Sequence, residues 1–261
     1  MGDRLLALDH HTPAQVGASA FGERLEGPAG SSVVLTVQHP GAAQPVELVA
    51  VRAVLPQEIE RHARLPGAIG YLELDSFPEG DMAVTRLADA IRALQADGPV
   101  RGWIFDLRLN QGGSELTMQR VAGLFLPPGT PLVSITTRDG TRALTSLGPP
   151  LLADAPLAIL VGSATASSAE MVTEALHQLG RATTVGARTA GCVNGGEIVG
   201  LLDGAGLLLS TQQVRVGPQQ VALEGVGIAP DHPVTLDLGA VADGRDTQLD
   251  AAVALLGGSP P

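Results

Sequence analysis

Residues 157–176, LAILVGSATASSAEMVTEAL, decide how the chain is read. Leu157–Val161 is a short aliphatic run, apolar enough for a strand buried on both faces. Small and polar residues follow over 162–168, and then Met171, Val172, Ala175 and Leu176 recur at helical spacing. The segment is therefore a strand, a loop and a helix in succession. Upstream, Ile69–Leu74 is strand-like and leads to a helix capped by Asp81, with Val84, Leu87, Ala88, Ile91 and Leu94 on one face and Gly98-Pro99 as its stop. Residues 102–107 (GWIFDL) form a buried-looking strand. The loop 110–113 leads from it to a helix capped by Ser114, expected to bury Leu116, Val121, Leu124 and Phe125.

Working outward, 132–137 and 183–185 read as further strands, and 246–256 as a closing helix. Residues 198–202 and 207–216 flank Asp203-Gly204, a hairpin signal. Repeated strand–loop–helix units predict an α/β domain over 68–261. The first 55 residues are β-rich: Ser32–Gln38 and 45–52 are strand-like, and 14–25 suits a short helix ended by Gly27-Pro28. Residues 56–67 read as a connector between the two parts.

Composition limits the chemistry. The chain has 261 residues, 44% hydrophobic and 16% charged, enough for one sizeable core with a small unit beside it. Aromatic residues are few, so that core is aliphatic. A net charge of −11 argues against nucleic acid, which requires clustered cations. No apolar run reaches the roughly 18 residues of a membrane span, and the first residues lack the pattern of a signal peptide. Cys192 stands alone, which excludes an intrachain disulfide. All 16 basic residues are arginine. No mechanism can draw a lysine amine from these residues.

Two loops have the strand-to-helix form in which sites gather in α/β folds. In Asp106-Leu107-Arg108-Leu109-Asn110-Gln111-Gly112-Gly113, paired glycines let backbone N–H groups converge on an anion. They suit a tight turn equally well. In the second loop, a serine at the helix start is either a cap or a nucleophile favoured by the helix N-terminus. Spacing alone leaves both alternatives open.

Taken together, 69–234 resembles the catalytic domain of the carboxyl-terminal processing (tail-specific) serine peptidases. The shared residues are Gly70-Tyr71-Leu72, Asp106-Leu107-Arg108 with Gly112-Gly113, Ala166-Ser167-Ser168-Ala169-Glu170, and Gly180-Arg181-Ala182. Val185-Gly186, Thr189-Ala190-Gly191 and Gly225-Val226-Gly227-Ile228-Ala229-Pro230-Asp231 extend the match. Residues 2–55 resemble the later part of the PDZ domain that precedes this catalytic domain. They begin at Gly2-Asp3-Arg4-Leu5-Leu6-Ala7-Leu8-Asp9, so the earlier strand and carboxylate-binding loop are missing.

The resemblance implies an α/β fold of the Clp protease and crotonase type behind a partial PDZ domain. It implies a serine endopeptidase cleaving proteins near accessible C-termini, with protein or peptide substrates and no cofactor or metal. Ser167 is then the nucleophile, the N–H of Ser168 with one from Gly112 or Gly113 the oxyanion hole, and Glu170 an orienting group. The family is usually exported in bacteria, which implies an extracytoplasmic location if the N-terminus is truncated.

The family's activating lysine, 25 positions after the serine, falls on Cys192, and a polar residue expected four positions later falls on Gly196. A Ser–Lys dyad within this sequence is therefore excluded. Among the histidines, His10, His11 and His39 lie in the PDZ-like part, and His177 lies about 15 Å along the helix from Ser167. His62 and His232 remain as candidate bases. Cys192 is a third candidate, but a lone thiol is a poor base at neutral pH. A relative that kept the fold and lost catalysis, acting as a peptide-binding scaffold, is the alternative function.

Overall fold

The computed structural model describes residues 3–54, 60–201 and 205–258. In chain order its elements are β1 (Arg4–Leu8), α1 (Pro13–Val16), α2 (Ala18–Glu23), β2 (Ser32–Gln38), β3 (Val46–Val51), β4 (Glu60–Leu65), β5 (Ile69–Leu74), α3 (Met82–Ala96) and β6 (Gly102–Asp106). Then follow α4 (Glu115–Ala122), β7 (Pro131–Thr137), β8 (Gly140–Thr145), β9 (Leu157–Val161), α5 (Ser168–Gln178) and β10 (Thr183–Gly186). The chain continues through β11 (Gly196–Gly200), β12 (Gly206–Ser210), β13 (Gln213–Val216), β14 (His232–Pro233), α6 (Leu238–Ala242) and α7 (Thr247–Leu255).

The chain divides into two bodies, Met1–Gln57 with Leu236–Thr247, and Glu58–Thr235 with Gln248–Pro261. The first holds an antiparallel sheet in the order β1-β2-β3. The second is built on a six-stranded sheet in the order β14-β10-β9-β6-β5-β4. Every neighbouring pair in it is parallel except β4 with β5.

Alternation along the central strands explains the layering. Trp103 and Phe105 of β6 pack on one face with Ile159 and Val161 of β9, against Leu87 and Ile91 of α3, Val121 of α4 and Val172 of α5. Ile104, Ala158 and Leu160 face the other way, onto Ala252 and Val253 of α7. Strands covered on both faces read as continuous apolar runs, hence GWIFD and LAILV. A second sheet, β13-β7-β8, adds Val133, Ile135 and Val214 to the first of these clusters. Among the described residues no helix is long and apolar enough to cross a membrane.

Four expectations need correction. The connector 56–67 contains β4, whose polar sequence ERHARL suits the half-exposed edge it occupies beside β5; its residues 55–59 lie outside the described ones. Residues 236–247 group with the first body rather than with 68–261. Leu116 is 44% exposed, because the buried face of α4 is carried by Thr117, Met118 and Val121. The run 207–216 breaks where Gly195 accepts hydrogen bonds from the Thr211 and Gln212 N–H groups, so β12 pairs with β11 while β13 joins β7. The Asp203-Gly204 turn lies outside the described residues.

Asp231 fastens the start of β14 to its surroundings. Its carboxylate accepts from the Thr184 N–H at 2.8 Å and the Thr184 hydroxyl at 2.9 Å, and lies 3.0 Å from His177 Nε2. Partial burial opposes ionisation, but these bonds and His177 outweigh it and hold the carboxyl below its usual range. Such a group contributes stability above its unfolded pKa, about 3.9. That contribution is lost as the pH falls through the lower folded value. Acid denaturation followed by circular dichroism from pH 6 to 2 is expected to fall more steeply for the wild type than for Asp231→Asn; parallel curves would contradict this account.

Candidate active site

The chain leaves β9 at Val161 and is gripped at once. Thr165 Oγ1 accepts from the Gly162 N–H at 2.9 Å and donates to the Leu107 carbonyl at 2.8 Å, which ties the loop to the end of β6. The Ala166 N–H donates to the Asn110 carbonyl at 3.0 Å, and the Ser167 N–H to the Cys192 carbonyl at 2.8 Å. A further bond, from the Ala169 N–H to the Ala166 carbonyl at 3.0 Å, closes a tight turn with Ser167 at its second position. There Ser167 has φ 54° and ψ −124°, the geometry of a type II′ turn, a place normally held by glycine. A side chain held in that region costs on the order of 1–3 kcal/mol.

Ser167 immediately precedes α5, yet its side chain makes no capping bond. The residue is half-buried, and among the described residues its Oγ has no hydrogen-bond partner. It is neither a cap nor a core serine.

The glycine loop lies against this turn. Gly112 and Gly113 have φ of 99° and 134°, and a Cβ on Gly112 would stand 2.6 Å from Ser167 Cβ and 3.0 Å from the Ser168 nitrogen. A Cβ on Gly113 would strike the Phe77 carbonyl oxygen at 2.2 Å. Buried Asn110 organises the loop: its Nδ2 donates to the Leu74 carbonyl at 2.9 Å and its Oδ1 accepts the Gly112 N–H at 2.8 Å. Ser168 Oγ donates to the Gly113 carbonyl at 2.8 Å, holding the loop to the start of α5. The Gly112 N–H is thereby spent. Among the described residues the N–H groups of Gly113 and Ser168 have no acceptor.

Asp106 and Arg108 brace the strand beneath. Arg108 Nη2 lies 2.6 Å from Asp106 Oδ2, and the Arg108 N–H donates to Oδ1 at 3.0 Å. The Tyr71 hydroxyl donates to Asp106 at 2.8 Å; burial first, and then the Asp106 charge, push that phenol well above its usual range.

Cys192 arrives from a third direction and is held by its backbone. Glu170, fully buried in the first turn of α5, accepts from the Thr189 hydroxyl, the Gly191 N–H at 2.8 Å and the Cys192 N–H at 2.9 Å. Glu224 accepts the next two N–H groups, Val193 at 2.9 Å and Asn194 at 2.8 Å. Glu170 therefore orients the segment carrying Cys192 rather than the serine turn itself. The Cys192 thiol is free and exposed. Ser167, Ser168, Gly112, Gly113, Glu170 and Cys192 are thus brought together.

The histidines are not. His62 stands on the edge strand β4 with Nδ1 2.8 Å from Glu60, three strands from β9, roughly 14 Å at sheet spacing. His232 lies in β14 at the opposite edge. Among the described residues no histidine hydrogen-bonds to Ser167. From sequence alone no role falls to Asn110 or Thr189, although both lie in the quoted motifs, and Glu224 lies outside them. Asn110 carried a usable signal, an Asx residue two positions before a glycine, which often binds its own backbone; the other two act through tertiary contacts.

Residues 68–234 match the family model described as peptidase family S41, so the chain belongs to that family. It is 30% identical to a carboxyl-terminal-processing protease of Synechocystis sp. over 98% of this chain and 60% of that protein. It is 31% identical to a carboxy-terminal-processing protease of Bartonella bacilliformis over 87% of this chain and 52% of the relative. The chain thus spans half to three fifths of the length of these relatives. Among solved structures, the photosystem II D1 C-terminal processing protease superposes with a TM-score of 0.65 at 27% identity, covering 93% of this chain and 67% of that one.

Strain at Ser167 has a measurable consequence. Ser167→Gly relieves it and is expected to be about 1 kcal/mol more stable than Ser167→Ala in urea denaturation, a minimum set by the side-chain cost at positive φ. Equal stabilities would show that no strain is stored there. Glu170→Gln places an amide against backbone donors and is expected to cost about 1–3 kcal/mol, with faster amide hydrogen exchange at Gly191 and Cys192. Unchanged exchange would contradict the clamp.

Proposed function

We propose that this chain is a serine-type endopeptidase that cleaves protein substrates near their C-termini, with Ser167 as nucleophile. The observation that carries this reading is the turn at Ser167, which holds at φ 54° a hydroxyl that, like two neighbouring N–H groups, has no hydrogen-bond partner among the described residues. Ser167 Oγ attacks the scissile carbonyl carbon, and the carbonyl oxygen takes up the negative charge. The N–H groups of Gly113 and Ser168 receive that oxyanion, assisted by the N-terminus of α5. Asn110 favours Gly113 over Gly112 because it already holds the Gly112 N–H. Collapse of the tetrahedral intermediate breaks the C–N bond, and the leaving amine takes its proton from solvent water. Water then hydrolyses the acyl-serine.

The proton on Oγ leaves to solvent. No lysine exists in these residues, no histidine bonds to Ser167, and Cys192 offers a free thiol at the lysine position. Lacking a positioned base forgoes a factor of about 10²–10⁴ in rate, so turnover is slow and rises with pH. In the same proposal the first body is the later part of a PDZ domain, and substrates are unstructured polypeptides with accessible C-termini. The exposed thiol at the lysine position favours one rival: a scaffold that binds peptides without cleaving them.

A fluorophosphonate probe separates the two. The wild type is expected to be labelled slowly, faster with rising pH, and Ser167→Ala not at all. Cys192→Lys is expected to raise the labelling rate at least tenfold, a conservative share of what a general base supplies. Absence of labelling in both the wild type and Cys192→Lys would favour the scaffold.

A further inference from the structure

A shallow open depression, about 660 Å³, lies beside Gly113 and is lined by Phe77, Glu79, Ser114, Glu115 and Leu116 as well. It adjoins one of the two N–H groups without an acceptor among the described residues, within reach of the side chains that flank a carbonyl oxygen bound at Gly113. The lining is half polar in kind. Leu116, at the N-terminal turn of α4, turns an exposed aliphatic surface outward. Phe77 is buried, and its N–H and carbonyl bond Gly112 and Ser114.

The charges on this wall are unequal in their commitments. Glu115 lies in the first turn of α4, where a carboxylate offsets the helix dipole, and Arg142 Nη2 pairs with it at 2.6 Å. Glu79 is exposed and has no hydrogen-bond or ion-pair partner among the described residues. The sum over Glu79, Glu115 and Arg142 is one unbalanced negative charge. Acid beside an exposed leucine suits a side chain with an aliphatic stem and a cationic tip.

Resting on the peptidase reading, the geometry points to this depression as a subsite for a lysine or arginine of the substrate next to the scissile bond, with Glu79 as its selecting residue. Leu116 covers the stem and Glu79 meets the cation. No proton or bond changes hands in this step; it is recognition alone. Leu116 and Glu79 are absent from the chemistry at Ser167, so their effect falls on which peptide binds.

The test uses the full chain as Ser167→Ala, so that binding is read whether or not the wild type turns over. Fluorescein-labelled octa-alanine peptides carry one lysine at each successive position, each matched to a norleucine peptide of equal length and shape. Anisotropy titrations are expected to show, in at least one register, lysine bound about fivefold tighter than norleucine, the scale of one partly exposed ion pair. The preference is expected to shrink with added salt, to vanish in Glu79→Gln and to reverse towards glutamate peptides in Glu79→Lys. Equal binding of lysine and norleucine peptides, absence of binding by every peptide, or a preference that survives Glu79→Gln would overturn the proposal. Fluorophosphonate labelling of the wild type, run alongside, reports on Ser167 by itself. Absence of labelling in both the wild type and Cys192→Lys with the lysine preference intact removes the peptidase reading and leaves a peptide-binding subsite; labelling without the preference removes the subsite alone.

Discussion

The backbone of Ser167 is held where a serine does not go by choice, and the rest of the site is arranged around that constraint. At φ 54° the residue gains nothing locally. It stays because the turn is pinned on three sides, by the carbonyls of Asn110, Cys192 and Ala166. Each pin belongs to a different segment: the end of β6, the loop after β10, and the turn itself. A backbone strain of this size persists only when its surroundings over-determine it. Here the outcome is an unbonded hydroxyl projected from the start of a helix.

The segment carrying Cys192 shows how far the over-determination extends. Two carboxylates, Glu170 and Glu224, take up four consecutive backbone N–H groups from Gly191 to Asn194. This grip acts through the main chain and is indifferent to the side chain at 192. The backbone at 192 is thus held whatever its side chain, and its carbonyl accepts the Ser167 N–H. The ordering of this segment does not depend on the side chain at 192. A member of peptidase family S41 can therefore keep the turn at Ser167 ordered without one lysine in these residues.

Much of this was legible before the structure. GWIFD and LAILV read as buried strands because both faces are covered, and the helix after Ser167 showed its period through Met171, Val172, Ala175 and Leu176. What escaped was set by tertiary pairing. ERHARL is polar enough to pass for a connector, and only its pairing with β5 makes it a strand. GTRALT became β8 through pairing with β7, which its own pattern does not announce. The choice between Gly112 and Gly113 turned on the side chain of Asn110, and the φ of Ser167 left no trace in the residue types around it. Among the described residues neither His62 nor His232 hydrogen-bonds to Ser167; sheet order, invisible in a single sequence, puts β4 and β14 at opposite edges.

The central claim is that Gly113 and Ser168 form the anion site served by Ser167. A crystal structure of the phosphonylated protein tests it most directly. The account predicts a covalent bond from Ser167 Oγ to phosphorus, with the phosphoryl oxygen within about 3 Å of both the Gly113 and Ser168 nitrogens, the reach of an oxyanion-hole donor. A phosphoryl oxygen turned to solvent, or bound by neither N–H, would contradict it.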